Sequence, residues 1–217
     1  MGQKVNPTGF RTGKFYPWKS RWFVDSDKYK DYLEEDIKIR RALMDRLNNA
    51  GIVSVEIERL PKSIKIILTV SRPGVVIGRG GSGLEDLKIL ILRILRKIRK
   101  EDIKDLKIDL KVNEVQHPEL SAQLVASRIV SDLERRMRHR MVINRAIDRV
   151  MQAGAGGIKV ILSGRIGGAD ISRVEKYHKG SVPTQTLREI IDYAQIPALL
   201  KKGYVGVKVY IHRKKED

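Results

Sequence analysis

The stretch Pro73-Gly74-Val75-Val76-Ile77-Gly78-Arg79-Gly80-Gly81-Ser82-Gly83 decides between the folds open to this chain. Gly78, Gly80, Gly81 and Gly83 crowd together just ahead of an apolar-periodic run from Leu84 to Ile98. A backbone without Cβ atoms lets another chain approach its N–H groups, and phosphate is the group such donors suit. Two patterns fit the letters. Gly78-x-Gly80-x-x-Gly83 satisfies the GxGxxG of dinucleotide-binding folds, while Gly78-Arg79-Gly80-Gly81 satisfies a GXXG tetrad that clamps about four nucleotides of a single strand.

The surrounding elements choose between them. From about Tyr29 to Ala50, Leu33, Ile37, Met44 and Leu47 keep helical spacing, and Gly51 supplies a stop. Val53, Val55 and Ile57 alternate with polar residues, a Pro61-Lys62 turn follows, and Ile64, Ile66, Leu68 and Val70 alternate as a second strand. Val75 to Ile77 form a short helix before the loop. After it, Leu84, Leu87, Ile91, Ile94 and Ile98 predict a long helix with Lys88, Arg93, Arg96, Lys97 and Arg99 on its other face, and Ile108, Leu110 and Val112 predict a closing strand. A dinucleotide fold requires a parallel strand directly before the loop and further βαβ units after it. Here the strand ends before Pro73 and no second unit follows. The order αββααβ resembles instead the type II KH domain, with Gly78, Arg79, Gly80 and Gly81 as its RNA-binding loop. That resemblance implies a groove with an apolar floor for bases and Arg79 facing a phosphate.

Composition agrees. Lys and Arg outnumber Asp and Glu 44 to 26 in 217 residues, for a net charge of +18 and a pI near 10.1. Solubility needs only about 2 to 8 charges on a small domain, so the surplus points to a polyanionic partner, with nucleic acid first. Apolar residues at 41% suffice for one or two real cores. The absence of cysteine excludes disulfides and thiolate metal sites and fits a reducing compartment. Met1 to Asn6 carries no apolar signal segment, Asn6 breaks the myristoylation pattern, and no run approaches a membrane span, so a soluble protein is expected.

Residues 1–25, rich in Gly, Pro, aromatic and basic residues, read as an extended basic arm. Its Phe15, Trp18, Trp22 and Phe23 either stack on RNA or pin the arm to its own domain; the residues leave both readings open. The KH domain is expected over 26–113. His117-Pro118 marks a break, and a second α+β domain is expected over 114–213, with 214–217 a charged tail. Its helices carry the stripes Ala122, Ala126, Val130, Leu133, Met137 and then Ile143, Ile147, Val150. Arg135, Arg136, Arg138, Arg140, Arg145 and Arg149 crowd fifteen residues across them, more than helix pairing needs. Strands are expected at Ile158–Leu162, at 173–179 and at Val205–Ile211, with a short helix from Pro183 through Ile191. The fold class is α+β: an amino-terminal KH domain, then two helices packed on a small sheet.

The run from Gly157 to Arg173, together with Gly2-Gln3-Lys4-Val5-Asn6-Pro7 and the KH loop, resembles the bacterial-type family of small-subunit ribosomal protein three, from Gly2 to about Ile211. The resemblance implies a ribosomal component, cytoplasmic or organellar, that binds 16S-type ribosomal RNA of the subunit head, meets messenger RNA at its entrance channel and neighbours small-subunit proteins ten and fourteen. It implies ribosomal RNA contacts at Lys4, Asn6, Arg11, Lys159, Arg165 and Arg173, and a messenger-facing surface at Arg135, Arg136, Arg138, Arg140 and Arg145. The family's messenger-unwinding basic pair and further lysine align with Arg140, Met141 and Asn144, so only the first keeps its charge, with Arg145 next to the third. A rival reading is a free-standing KH-type RNA chaperone or regulatory RNA-binding factor. No enzyme, metal or cofactor is expected: His117, His139, His178 and His212 are scattered, and neither a P-loop nor a Ser-His-Asp pattern is present.

Overall fold

The computed structural model describes residues 4–60, 62–99 and 106–214. Gly2 and Gln3 of the amino-terminal motif, Pro61 of the expected turn and residues 215–217 of the expected tail lie outside them. The chain divides into two units, one spanning Trp18–Gln116 and the other joining the residues up to Pro17 with those from His117 onward.

The residues expected as an extended arm are shared between the units. Asn6 caps helix α1 (Pro7–Arg11), its Oδ1 accepting from the Thr8 and Gly9 N–H groups at 2.9 and 3.4 Å, and Pro7 takes the first helical position, where no N–H is needed. Arg11 is wholly buried and donates to the carbonyls of Glu189, Pro7, Thr184 and Thr186 at 3.0, 3.1, 3.2 and 2.7 Å. Tyr16 Oη donates to the Ile191 carbonyl at 3.1 Å, which fixes the segment further. Burial pushes the Tyr16 phenol above its ordinary value. Strand β1 (Ser20–Arg21) instead joins the other unit, where Trp22 Nε1 and Ser20 Oγ both donate to Asp36 Oδ2 at 2.8 Å.

That unit follows the order read from the sequence: α2 (Ser26–Arg46), β2 (Ile52–Leu60), β3 (Ser63–Val70), α3 (Pro73–Ile77), α4 (Ser82–Ile98) and β4 (Lys107–Glu114). Its four-stranded sheet runs β1-β2-β3-β4, with β2 and β3 antiparallel and β4 parallel to β3. Val55, Ile57, Ile64, Ile66, Leu68 and Val70 meet Leu87, Ile91 and Leu95 of α4 and Ile39, Leu43 and Leu47 from α2 and its end in one core. The stripe expected to bury α2 is corrected here, because Leu33, Ile37 and Met44 lie on its exposed side. Its buried side carries Glu35 and Asp36 next to Ile39 and Leu43. Arg59 Nε donates to Asp36 Oδ1 at 2.8 Å and its Nη1 to Glu35 Oε2 at 2.5 Å, while Arg99 Nε donates to Glu35 Oε1 at 2.6 Å. The Glu35 carboxylate holds the Arg99 guanidinium above its ordinary value. Two buried carboxylates, tolerable only because they are paired, thus hide the helix's true inner face from a hydrophobicity pattern.

In the other unit, α5 (Ala122–Glu134) and α6 (His139–Gln152) cover one face of an antiparallel sheet ordered β6-β5-β8-β7. Its strands are β5 (Gly157–Gly164), β6 (Arg173–Gly180), β7 (Ile190–Leu200) and β8 (Gly203–Arg213). Ile158, Val160 and Leu162 of β5 and Val205, Val207, Val209 and Ile211 of β8 point at Ala126, Ile129, Leu133, Ile143 and Ile147. The short helix expected from Pro183 to Ile191 is not formed: turns lead into β7, the longest strand beside β8. Ile191, Ala194 and Ala198 are the buried positions, a helix-like spacing of three and four. It arises because β7 is buried on both sides, Ile191 toward Tyr16 and Ala194 and Ala198 toward the helices.

Candidate nucleic-acid interface

In the KH unit, Gly78 ends α3 with φ 71°, and Gly80 and Gly81 follow at φ 62° and 84°. The glycines have separate jobs. A Cβ on Gly78 would lie 2.9 Å from the Gly83 nitrogen and one on Gly83 2.5 Å from the Val76 carbonyl, so this pair lets α3 press against α4. A Cβ on Gly80 or Gly81 would meet nothing within 4 Å. The open pair is therefore the part of the loop that a sugar-phosphate backbone can reach, with exposed Arg79 beside it and exposed Val75 and Ile77 flanking.

In the other unit, the α5 stripe ends at Leu133 and the chain reverses through Arg135–Arg138 to start α6. The Arg136 N–H donates to the Leu133 carbonyl at 2.9 Å and the Met137 N–H to the Asp132 carbonyl at 3.1 Å, the paired bonds of a Schellman turn. The left-handed position of such a turn ordinarily holds glycine; here it holds Arg136 at φ 62°, the one positive-φ residue other than glycine among the described residues. Arg138 stands before α6 without a side-chain cap, which leaves the helix's first N–H groups and positive end available.

The turn forms one wall of a groove of about 940 Å³, lined by Arg136, Arg138, His139 and Arg140 from the turn, by Arg165, Gly167 and Gly168 from the loop after β5, and by Lys201 and Lys202 at the β7–β8 tip. Three separate stretches thus deliver cations to one concavity. Among the described residues, no carboxylate lies within 4 Å of the charged nitrogens of Arg135, Arg136, Arg138, Arg140 or Arg145. Arg165 is more committed: its Nε donates to the Ala169 carbonyl at 2.9 Å and its Nη2 to Asp170 Oδ1 at 2.9 Å, bracing the loop.

Glu175 on β6 anchors the foot of the turn. It accepts from Tyr177 Oη at 2.6 Å, pairs with Arg173 Nε at 2.8 Å, and lies 3.2 Å from His139 Nε2, a contact whose angle is too poor for a hydrogen bond. The Tyr177 hydrogen bond, then the charges of His139, Arg173 and Arg140, hold the Glu175 carboxyl below its ordinary value. Burial, followed by that bond, lifts the Tyr177 phenol.

On the sheet face turned away from α5 and α6, the structure brings together Lys4 and Lys159, far apart in sequence, with Lys176 beside them. Burial, then the Lys4 and Lys176 ammonium charges, press Lys159 below its ordinary value. The other expected ribosomal-RNA residues divide. Arg173 is exposed, Asn6 is a helix cap and Arg11 is buried with its donors engaged by carbonyls, so the contact expected of Arg11 gives way to a structural role. Of the expected messenger-facing arginines, Arg136, Arg138 and Arg140 line the groove, while exposed Arg135 and Arg145 do not. Met141 and Asn144 sit exposed on α6, Asn144 in a smaller hollow with Lys176 and Lys179. Lys201 and Lys202 were not legible as site residues, since only the β7–β8 pairing carries them to the groove. Among the described residues, no cluster of His, Cys, Asp or Glu could hold a metal ion, and no helix is long and apolar enough to cross a membrane.

Comparison with known proteins finds family models over parts of both units. Residues 38–120 match the KH domain model and residues 129–211 match that of the ribosomal protein S3 carboxy-terminal domain. The small ribosomal subunit protein uS3 of Caldicellulosiruptor saccharolyticus is 47% identical over 213 residues, 98% of this chain and 92% of its own length. That of Persephonella marina is 47% identical over 98% of this chain and 90% of its own, and that of Clostridium novyi 42% over 98% and 93%. With relatives this similar along nearly the whole chain, and family models over both the glycine-loop unit and the arginine-turn unit, the chain belongs to the uS3 family of small ribosomal subunit proteins.

Proposed function

We propose that the chain is a structural component of the small ribosomal subunit that holds ribosomal RNA of the head and guides messenger RNA at its entrance channel. The observation that carries this is the convergence of Arg136, Arg138, Arg140, Arg165, Lys201 and Lys202 on one groove. Cations there displace counterions from a phosphate backbone, and the Gly167 and Gly168 floor lets that backbone come close. The Lys4, Lys159 and Lys176 cluster and exposed Arg173 serve the ribosomal RNA side, and the arginine turn serves messenger. Small-subunit proteins ten and fourteen are its protein neighbours in this reading. The family is one of structural ribosomal proteins and the chain is not an enzyme.

The test is sedimentation of tagged chain through a salt wash. It should remain with the small subunit, and release into the supernatant with loosely held factors would favour the free-standing RNA-binding reading. In particles that retain the chain, Arg136, Arg138 and Arg140 changed together to Gln should slow translation of structured messengers while subunit assembly stays normal. Equal loss of both would assign the turn to ribosomal RNA.

A further inference from the structure

The face of the carboxy-terminal sheet turned away from α5 and α6, which the α1 segment meets only along β7, carries a pattern that the groove does not use. Strand register places His178, Lys159, Tyr210 and Tyr193 in one row across β6, β5, β8 and β7. The next row on the same face, two residues along each strand, is Lys176, Ile161, Lys208 and Gln195. The Tyr193 and Tyr210 rings pack at 4.8 Å between centroids with planes inclined by 46°, and both remain partly exposed. Tyr193 Oη donates to Gln195 Oε1 at 2.9 Å, which fixes its ring. Neighbouring rows lie about 7 Å apart and neighbouring strands about 5 Å, so the aromatic pair and the lysines share a patch of nucleotide dimensions.

We propose that this face is a stacking platform for single-stranded RNA, bases lying on Tyr193 and Tyr210 and phosphates on Lys159, Lys176 and Lys208. The inference rests on the RNA-binding reading above and adds a second site to it. Rings fixed on a rigid sheet beside cations suit unpaired bases, which expose π-faces that a duplex hides. The lysine arrangement has the same sense: Lys4, Lys159 and Lys176 gather like charge, so a phosphate there relieves repulsion.

Fluorescence anisotropy with the full chain tests this, using a short labelled oligoadenylate and the same length as a blunt RNA duplex. Tyr193→Leu with Tyr210→Leu should weaken oligoadenylate roughly tenfold or more while changing the duplex little. Lys159→Gln, Lys176→Gln and Lys208→Gln together should lower the salt slope for the single strand by about 2. Photocrosslinking of the unaltered chain to a thiouridine-labelled single strand should mark peptides of β7 and β8, a readout independent of how the variants fold. Marks confined to other peptides, or single-strand affinity unmoved by folded tyrosine variants, overturn the platform. If oligoadenylate binding then falls only with the Arg136, Arg138 and Arg140 variant, the groove reading stands and this one alone fails. If the unaltered chain binds neither RNA, both fail.

Discussion

The chain builds the same backbone twice and uses it in opposite ways. Arg79-Gly80-Gly81 and Ile166-Gly167-Gly168 are both single tight turns, with the middle glycine at φ 62°, ψ 18° in one and φ 64°, ψ 15° in the other, and the last at φ 84° and 81°. What differs is the residue in front. Arg79 is exposed, and its glycines face open space; Ile166 is 2% exposed, and Cβ atoms on its glycines would come within 4 Å of His139 and Lys202. The first turn presents its own cation. The second is bolted to a core and serves as a floor, with cations supplied by the arginine turn and the β7–β8 tip. Glycine spacing therefore gives conformation, while the neighbouring side chain decides whether the turn projects outward or is anchored to the core beneath it.

The strongest attempt to break this contrast is a pair of truncations. Ile166→Ala should cost about 3 kcal/mol of the carboxy-terminal unit's stability, the usual loss for a large aliphatic side chain in a closed core, whereas Arg79→Ala should stay within about 0.5 kcal/mol. Urea titration with hydrogen exchange at β5 amides for the first and at β3 amides for the second reads both, and equal costs would erase the distinction. Next in size is Gly80→Asp, a residue that tolerates the left-handed region and meets no neighbour. It should leave the fold intact and weaken single-strand RNA binding about tenfold. That lies between a like-charge contact at ~4 Å in water, about 1 kcal/mol, and one near a protein surface, about 4 kcal/mol. Unchanged affinity would mean the outward turn receives no phosphate.

What could be read from the residues follows the same division between local pattern and register. The αββααβ order was legible because β2 and β3 alternate cleanly and α4 has a single apolar stripe. The family, too, was legible in the run from Gly157 to Arg173 taken together with the amino-terminal motif and the glycine loop. The burial of α2 was misread because Glu35 and Asp36 occupy its inner face, and the start of β7 because Leu187, Ile190 and Ile191 keep helical spacing although the last two open a strand. Of the site, the arginines of the turn were visible as a linear cluster. The contributions of Lys201, Lys202 and Lys176 were not, since each depends on strand pairings that join positions distant in sequence.

Arg136 offers a smaller effect with two opposed signs. Its left-handed backbone costs about 1 kcal/mol that glycine would not incur, so Arg136→Gly should stabilise the unit by about that amount. The same change removes a groove cation and should lower the salt slope for RNA binding by about 0.7. Gain of stability with loss of binding would mark the strain as kept for function. Loss of stability would show that the side chain itself holds the turn, which would make this wall of the groove structural like the floor.

The smallest effect concerns how the wall is tied to β6. The Glu175 carboxyl is held below its ordinary value of 4.5, first by the Tyr177 hydroxyl and then by the charges of His139, Arg173 and Arg140. A carboxylate with a lowered folded-state value contributes stability that is complete above the unfolded value and disappears as the pH falls through the folded one. The stability difference between the unaltered chain and Glu175→Gln should therefore be full above pH 4.5 and shrink as the solution is acidified below it. Hydrogen exchange at the first turn of α6, followed over that range, reports it. A difference constant with pH would show that the tie between β6 and the wall does not depend on the charge of the Glu175 carboxylate toward His139 and Arg140. The arginine wall would then stand by packing, as the Ile166 floor does, with charge reserved for the RNA.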